Sequence, residues 1–227
     1  MAASDLELVR DHTVYSCVVG SRAYGLAGPG SDTDRRGVFV APTPLFWSLD
    51  KPPTHVEGPA EEQFSWELER LCELALQANP TVLECLWSPI VESIDDTGRE
   101  LIGIRGAFLS QRLYDTYGSY ARDQFKRLET TRQRTGQVKW KQAMHMLRLL
   151  MAGHFVLGTR EILVDVEDHR AELLAVKHGE RSWDDVTAWA ARLEVSLQEA
   201  ASRTTLPAEP DRLAVNDFLR RVRRAFV

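Results

Sequence analysis

The spacing of apolar residues changes near residue 105, and this change constrains the fold more than any other feature of the sequence. Before it, short apolar runs such as residues 14–19 end at Gly, Pro or Asn, which is typical of strands and short helices joined by turns. After it, apolar residues recur every three or four positions, which predicts helices. We therefore predict an α+β fold, with a mixed α/β domain over residues 1–105 and a helical domain over residues 106–227.

The first half is predicted to contain two main strands and three short helices. The strands cover residues 14–19 and 33–40, and residues 90–91 allow a brief third one. The helices are one near residues 45–49 inside a proline-rich connector, one between a Ser65 cap and Asn79-Pro80, and one over residues 81–87. In the second half, helices are predicted over residues 107–129, 137–157, 168–178, 182–202 and 211–225, with a polar loop over residues 129–136.

Composition excludes several classes of protein. The 227 residues are 44% hydrophobic and 27% charged, which is typical of a globular chain. No apolar run approaches the ~20 residues of a membrane helix, and the first residues lack the pattern of a signal peptide, so we expect a cytoplasmic protein that does not bind membranes. Cys17, Cys72 and Cys85 have no CxxC spacing and are expected to be core thiols. The net charge of −5 disfavours tight, sequence-independent binding of duplex nucleic acid, although a local basic groove remains compatible with it.

Two aspartates at the start of the second predicted strand indicate a metal site. Asp32 and Asp34 are separated by one residue, so on a strand their side chains share a face, with Cα atoms ~6.6 Å apart. Two neighbouring carboxylates repel each other, and a hard divalent cation bound by both offsets that repulsion. Mg²⁺ is the natural candidate, and two such ions would suit the transfer of a phosphoryl group.

A Gly-Ser turn directly after the first predicted strand supplies a complementary feature. Gly20 allows the backbone to approach a ligand closely, because it has no Cβ. Ser21 offers a hydroxyl and an amide, and a short helix from about Arg22 would point further amides at phosphate oxygens. The sequence therefore predicts a phosphate site between this turn and the two aspartates.

The order Gly-Ser, ten residues, Asp-x-Asp resembles the signature of the DNA polymerase β-like nucleotidyltransferase superfamily. The fuller string GSRAYGLAGPGSDTDRRGVFV resembles its "predicted nucleotidyltransferase" branch in bacteria and phages, and the resemblance continues through Glu67-Leu68 and residues 79–89 and 141–148. It implies a small mixed sheet flanked by helices, forming a catalytic domain within residues 1–105, followed by a helical domain. It also implies Mg²⁺-dependent transfer of a nucleoside monophosphate from a nucleoside triphosphate to an acceptor hydroxyl, with release of pyrophosphate. In that family Gly-Ser holds the triphosphate and the aspartates hold two Mg²⁺ ions.

The resemblance also implies a third carboxylate on a later strand. Alignment on the Glu67-Leu68 pair points to Glu62, with Glu61 and Glu57 as alternatives. Alternation along Glu62, Phe64 and Trp66 would place Glu62 on one face of a strand, which permits this role.

Basic residues near the predicted site allow two interpretations. Arg22, Arg35 and Arg36 would either bind phosphates or pair with acids such as Asp32 and Asp34.

Lys141, His145 and Arg148 share one face of the predicted 137–157 helix, which either meets solvent or, as the resemblance favours, binds nucleotide phosphates or the acceptor. The arginine-rich segment 220–224 is expected to be a solvated face.

The sequence leaves the acceptor open. A protein side chain, an RNA 3′ end and a small hydroxylated molecule all fit, because a fold does not choose among them. Two other functions would use the same residues. One is a nucleotide-binding or toxin-neutralising partner without turnover, and the other is a phosphohydrolase.

Overall fold

The computed structural model describes residues 3–227, with side chains from Asp5 onward, and this part of the chain forms five strands and ten α-helices. The strands are β1 (Thr13–Val18), β2 (Arg35–Phe39), β3 (His55–Glu57), β4 (Gln63–Glu67) and β5 (Val91–Ile94). The helices are α1 (Ala3–His12), α2 (Gly20–Ala23), α3 (Leu68–Leu76), α4 (Pro80–Leu86), α5 (Asp96–Gly103), α6 (Arg112–Thr135), α7 (Trp140–Thr159), α8 (Arg170–Lys177), α9 (Trp183–Arg203) and α10 (Arg212–Ala225). The predicted α+β class, with a small mixed sheet and a helical C-terminal region, is confirmed.

The five strands form one mixed sheet in the order β3-β4-β2-β1-β5. The β2–β4 pair is parallel, and the other neighbours are antiparallel. Val18 at the end of β1 lies opposite Arg35 at the start of β2. Because these two strand ends meet, the turn that follows β1 and the residues that precede β2 lie at the same end of the two strands.

The structure divides into two compact units, and the division differs from the predicted boundary at residue 105. One unit, the sheet unit, comprises the chain up to Ala23, Ala27–Phe108 and Pro210–Val227, and the other, the helical unit, comprises Tyr24–Leu26 and Leu109–Glu209. The last helix, α10, was predicted to be part of the helical domain but belongs with the sheet.

Ion pairs explain this placement of α10. Arg223 binds the buried carboxylate of Glu67 through two hydrogen bonds of 2.9 Å each, and Arg221 pairs with Glu100. Arg223 is therefore part of the packed structure, whereas Arg220, Arg221 and Arg224 are exposed as predicted for this segment.

The core of the sheet unit includes the central strands and α4. The Tyr15 hydroxyl donates to the Cys85 carbonyl oxygen (2.8 Å), and the Sγ atoms of Cys17 and Cys85 lie 3.5 Å apart. Burial raises the pKa of the Cys72 thiol. All three cysteines are buried free thiols, as their apolar surroundings in the sequence predicted.

The core of the helical unit is built around α7, which packs against α6, α8 and α9. Its apolar residues are buried on several sides, including Ala143, Met146, Leu150 and Val156. The helix α9 begins at a capping box in which Ser182 and Asp185 satisfy each other's backbone amides. Within residues 3–227, no helix is both long and apolar enough to span a bilayer.

Three local predictions were wrong. Ser65 does not cap a helix but lies buried in β4, and the Glu67 side chain caps α3 by accepting from the Glu69 amide (2.7 Å). The predicted loop over residues 129–136 continues α6, because Glu129 pairs with Arg132 one turn later and the helix ends only at Gly136, with φ +71°. The segment predicted to be only a connector with a short helix contains β3, together with a 3₁₀ turn at Thr43–Trp47.

Candidate active site

The Gly-Ser turn lies directly against the second aspartate. Gly20 has φ +69° and begins α2, and the amide of Val19 donates to the Asp34 carbonyl oxygen (2.9 Å). A Cβ added at Gly20 would collide with Oδ2 of Asp34. Glycine is therefore required here for two reasons, its left-handed backbone and the close approach of a carboxylate.

The two aspartate carboxylates are not neutralised by nearby arginines. Arg22 donates to the backbone carbonyls of Ser31 (2.9 Å) and Asp32 (3.2 Å), so it braces the loop and leaves the carboxylates open. Arg35 pairs instead with Glu92 (3.1 Å). Across residues 5–227, no side chain forms an ion pair or hydrogen bond with the carboxylate of Asp32, which is exposed, or of Asp34, which is half-buried.

This donor set fits a hard divalent cation. Asp32 and Asp34 offer carboxylate oxygens without a cationic partner, and Mg²⁺ prefers one or two protein carboxylates together with waters and substrate phosphates. In the described part of the chain, no three His, Cys, Asp or Glu side chains form a group that could hold a metal ion. A Mg²⁺ ion held by Asp32 and Asp34 would therefore need further ligands from water or substrate.

Glu62 lies beside Asp34 along the backbone, but in a different conformation from the one predicted. Its carbonyl oxygen accepts from the Arg35 amide (2.9 Å), at the start of the parallel β2–β4 pairing. However, β4 begins only at Gln63, and Glu62 has φ +56° and an exposed side chain. The strand alternation used to predict its direction therefore does not apply. The alternatives, Glu61 and Glu57, are also exposed, with Glu57 opposite Phe64 in β3.

A cluster of cations occurs within the helical unit. The Arg148 guanidinium is buried and lies 3.7 Å from the ring centroid of Tyr24, and the His145 ring contacts the same tyrosine edge-on (6.3 Å). Burial, followed by the charges of Arg148, Lys141 and Lys177, lowers the pKa of His145 to about 4. His145 is therefore neutral at pH 7 among three cations. Of the three predicted residues of this face, Lys141 is exposed, His145 is half-buried and Arg148 is buried.

The tripeptide Tyr24–Leu26, just after the Gly-Ser turn in sequence, is held by the helical unit. Its three carbonyl oxygens accept, in chain order, from the Val166 amide (3.2 Å), Arg170 Nε (2.6 Å) and Lys177 Nζ (3.3 Å). Lys177 thus belongs to the cation cluster and also bonds to the Leu26 carbonyl oxygen. It was not among the residues predicted from the sequence. No spacing in the sequence relates it to α7, so only the packing of α8 on α7 reveals it.

Two comparisons with known proteins identify what the chain is similar to. The 227-residue chain has 33% identity over 81 residues to the uncharacterized protein YcgL of Bacillus subtilis (strain 168), covering 34% of this chain and 31% of that protein. This match thus spans about a third of the length of YcgL. A family model described as the RNA repair pathway DNA polymerase beta family, RlaP, matches residues 5–221. Since that match includes the Gly-Ser turn, the two aspartates and the cation cluster of α7, the chain belongs to the RNA repair pathway DNA polymerase beta family.

Proposed function

We propose that this protein is a Mg²⁺-dependent nucleotidyltransferase that moves a nucleoside monophosphate from a nucleoside triphosphate to an acceptor hydroxyl. The observation that carries the proposal is the carboxylate of Asp34 packed against Gly20, with Asp32 two residues away. Membership of a DNA polymerase beta family supports it. Pyrophosphate is the leaving group, so the bond that breaks joins the α-phosphorus to the bridging oxygen.

The residues of the Gly-Ser turn and those just before β2 and β4 would have different roles in this reaction. Asp32 and Asp34 would hold Mg²⁺, which when bound supplies positive charge to the triphosphate and acidifies a hydroxyl. Ser21 would donate its hydroxyl and amide to the phosphates, and Gly20 lets them approach the backbone. The exposed carboxylate of Glu62 would accept the proton of the acceptor hydroxyl.

The cations of the helical unit would bind phosphate as well. Lys141, Arg148 and Lys177 all lie close enough to His145 to lower its pKa, so their positive charges are concentrated in a small region. A phosphate group would relieve the repulsion among them, and a buried guanidinium suits phosphate oxygens. His145, being neutral, would contribute a hydrogen bond rather than a charge.

We propose the 3′ hydroxyl of an RNA as the acceptor. The family's description as part of an RNA repair pathway favours an RNA end over a protein side chain or a small metabolite. A local basic cluster is compatible with an RNA substrate even though the net charge of the chain is −5.

The test is transfer of label from α-labelled nucleoside triphosphates to a short RNA with a 3′ hydroxyl, in Mg²⁺. Wild-type protein should extend the RNA and release pyrophosphate, and Asp32→Asn and Asp34→Asn should each lower the rate by about a hundredfold or more, since the aspartates provide the metal site. Asp50→Asn, at an exposed aspartate outside the site, is the control, and a thermal melt checks the fold of each variant.

Three results would contradict the proposal. An unchanged rate of transfer by Asp34→Asn would show that the Asp34 carboxylate is not required for the reaction. Release of inorganic phosphate without a labelled acceptor would indicate a phosphohydrolase. Nucleotide binding without any turnover would indicate a silent binding partner.

A further inference from the structure

A cavity of about 450 Å³ opens in the sheet unit next to β2, the strand that begins directly after Asp34. Its walls are the start of β2, the end of β3, the start of β4 and the turn of residues 58–60, and its lining side chains include Arg36, Glu57, Glu62, Gln63 and Phe64. Asp34 and Arg36 are two residues apart on an extended segment, so they share a face and their Cα atoms are ~6.6 Å apart. The cavity therefore begins about one side-chain length from Asp34, one of the two proposed metal ligands.

The cation of this cavity lacks a carboxylate partner. Arg36 is half-buried and donates through Nη1 to the backbone carbonyls of Arg35 (2.7 Å) and Glu62 (3.4 Å). In the part of the chain from residue 5 to 227, its Nε and Nη2 have no hydrogen-bond partner and no carboxylate lies within ion-pair distance, although Glu57 and Glu62 line the same cavity. A half-buried guanidinium with free donors is suited to an external anion, and its fork geometry matches phosphate.

The other walls indicate what accompanies the anion. Glu57 and Glu62 are exposed hydrogen-bond acceptors that would bind hydroxyl groups and repel additional phosphates. The ring of Phe64 stacks on His55 (centroids 5.2 Å apart) and forms an apolar wall. One phosphate next to a hydroxyl-bearing ring satisfies these three features together.

We propose that this cavity binds the acceptor, in the form of a ribose that carries a free hydroxyl and a 5′-phosphate, with the phosphate on Arg36 and the reacting hydroxyl towards Asp34 and Glu62. The proposal rests on the proposed transferase activity and assigns the acceptor's side of the same site. The chemistry is shared by the last nucleotide of an RNA and by a free mononucleotide. In this proposal Arg36 binds the acceptor and not the nucleoside triphosphate.

The neighbouring arginine provides a matched control. Arg35 has the same side chain and the adjacent position, but it pairs with Glu92 and does not line the cavity. Replacing either residue by glutamine removes one positive charge from the same strand. Only the loss at Arg36 should affect acceptor binding.

The first experiment measures binding without nucleoside triphosphate or metal. The anisotropy of a fluorescent six-nucleotide RNA with a 3′ hydroxyl reports binding, with AMP, adenosine and inorganic phosphate as competitors. Arg36→Gln should weaken RNA binding about tenfold or more, Arg36→Lys less, and Arg35→Gln by less than about threefold. AMP should compete at least about tenfold better than adenosine, because adenosine lacks the phosphate. Direct comparison of RNA with AMP then separates a polymer end from a free nucleotide.

The second experiment measures transfer. Arg36→Gln should raise the KM for the acceptor about tenfold while the KM for the nucleoside triphosphate stays within about twofold. Equal RNA binding by wild type and Arg36→Gln, equal competition by AMP and adenosine, or a KM effect on the triphosphate instead would each overturn the assignment. If no transfer occurs but Arg36-dependent binding of AMP persists, the transferase proposal fails and the cavity stands. If transfer occurs with an unchanged acceptor KM, the cavity assignment fails and the transferase proposal stands.

Discussion

At the scale of single residues, the site depends on backbone positions that only particular side chains tolerate. Gly20 combines a left-handed φ of +69° with an Asp34 carboxylate that occupies the space where a Cβ would lie. The Val19 amide, next to the glycine, also donates to the Asp34 carbonyl oxygen (2.9 Å), so the backbone of the turn is joined to that of Asp34. A strained or displaced turn would therefore move a proposed metal ligand directly.

We expect Gly20→Ala to lose activity more than stability. The new methyl group must displace the Asp34 carboxylate, and the left-handed backbone adds strain, so we expect a destabilisation of about 1–3 kcal/mol and a loss of transfer of at least about a hundredfold. Urea unfolding and the labelling assay measure the two effects. Gly28→Ala is the control, since Gly28 has no positive φ and no atom within 4 Å of an added Cβ. Equal behaviour of the two variants would contradict this role of Gly20.

We expect His145 to make the stability of the protein depend on pH. Its pKa is lowered to about 4 in the folded state, below the value of about 6.5 in an unfolded chain, so the unfolded state binds more protons between these values. Its contribution is then complete above about pH 6.5 and falls by up to about 3 kcal/mol as the pH decreases towards 4. Urea unfolding of wild type and His145→Gln at several pH values should show a smaller acid loss in the variant.

The same histidine reports on the proposed phosphate site. Pyrophosphate bound among Lys141, Arg148 and Lys177 would offset their charges, so the pKa of His145 measured by NMR should rise when it is added. A His145 pKa that does not respond to pyrophosphate would argue against phosphate binding by this cluster. His145→Gln, in which the responding signal should be absent, identifies the resonance as that of His145.

At the scale of elements, single ion pairs attach helices to the sheet. The buried Glu67 carboxylate ends β4, caps α3, accepts from the Ala41 amide (3.3 Å) and binds Arg223 of α10. One carboxylate thus joins a strand, a helix start and a helix that lies more than 150 residues later in the chain. The C-terminal helix depends on this junction as well as on its buried apolar residues, Val215, Phe218 and Val222.

We expect Arg223→Ala to be strongly destabilising. It removes both charge-assisted hydrogen bonds to Glu67 and leaves a buried carboxylate without its cation, for which we expect a loss of about 2–4 kcal/mol. Urea unfolding measures it, with exposed Arg224→Ala as the control expected to change stability by less than about 0.5 kcal/mol. The double variant Glu67→Gln, Arg223→Ala should recover part of the loss, since the unpaired charge is then absent. Similar stability of the two arginine variants would contradict the junction.

At the scale of the whole molecule, the chain forms two units that are not continuous in sequence. The sheet unit takes its last helix from the C-terminus, and the helical unit takes Tyr24–Leu26 from the loop between the Gly-Ser turn and the aspartates. The net charge of −5 likewise hides a local concentration of cations around His145. Domain boundaries and a net charge derived from the linear sequence therefore describe this molecule only coarsely.

Local pattern was sufficient for much of the fold and for the centre of the candidate site. The predicted helix over residues 137–157 corresponds to α7 and the one over residues 182–202 to α9, because their apolar period extends over many turns. The β1–turn–β2 arrangement was predicted from an apolar run and a Gly-Ser pair, although Asp32 and Asp34, predicted at the start of the second strand, precede β2. These features depend only on neighbouring residues, whose backbone preferences are expressed wherever the segment lies.

Contacts between distant segments could not be read in this way. The partner of Arg35, the free donors of Arg36, the turned backbone of Glu62, the contribution of Lys177 and the position of α10 all depend on which elements pack together. The sequence does not show whether a charged side chain faces solvent, a carboxylate or a cavity, because the residues around it in the fold lie tens of positions away. The amino-acid sequence alone thus predicted a Gly-Ser turn close to two aspartates and a chemistry for them, while the folded arrangement assigned each surrounding charge, because burial and pairing are properties of packed surfaces.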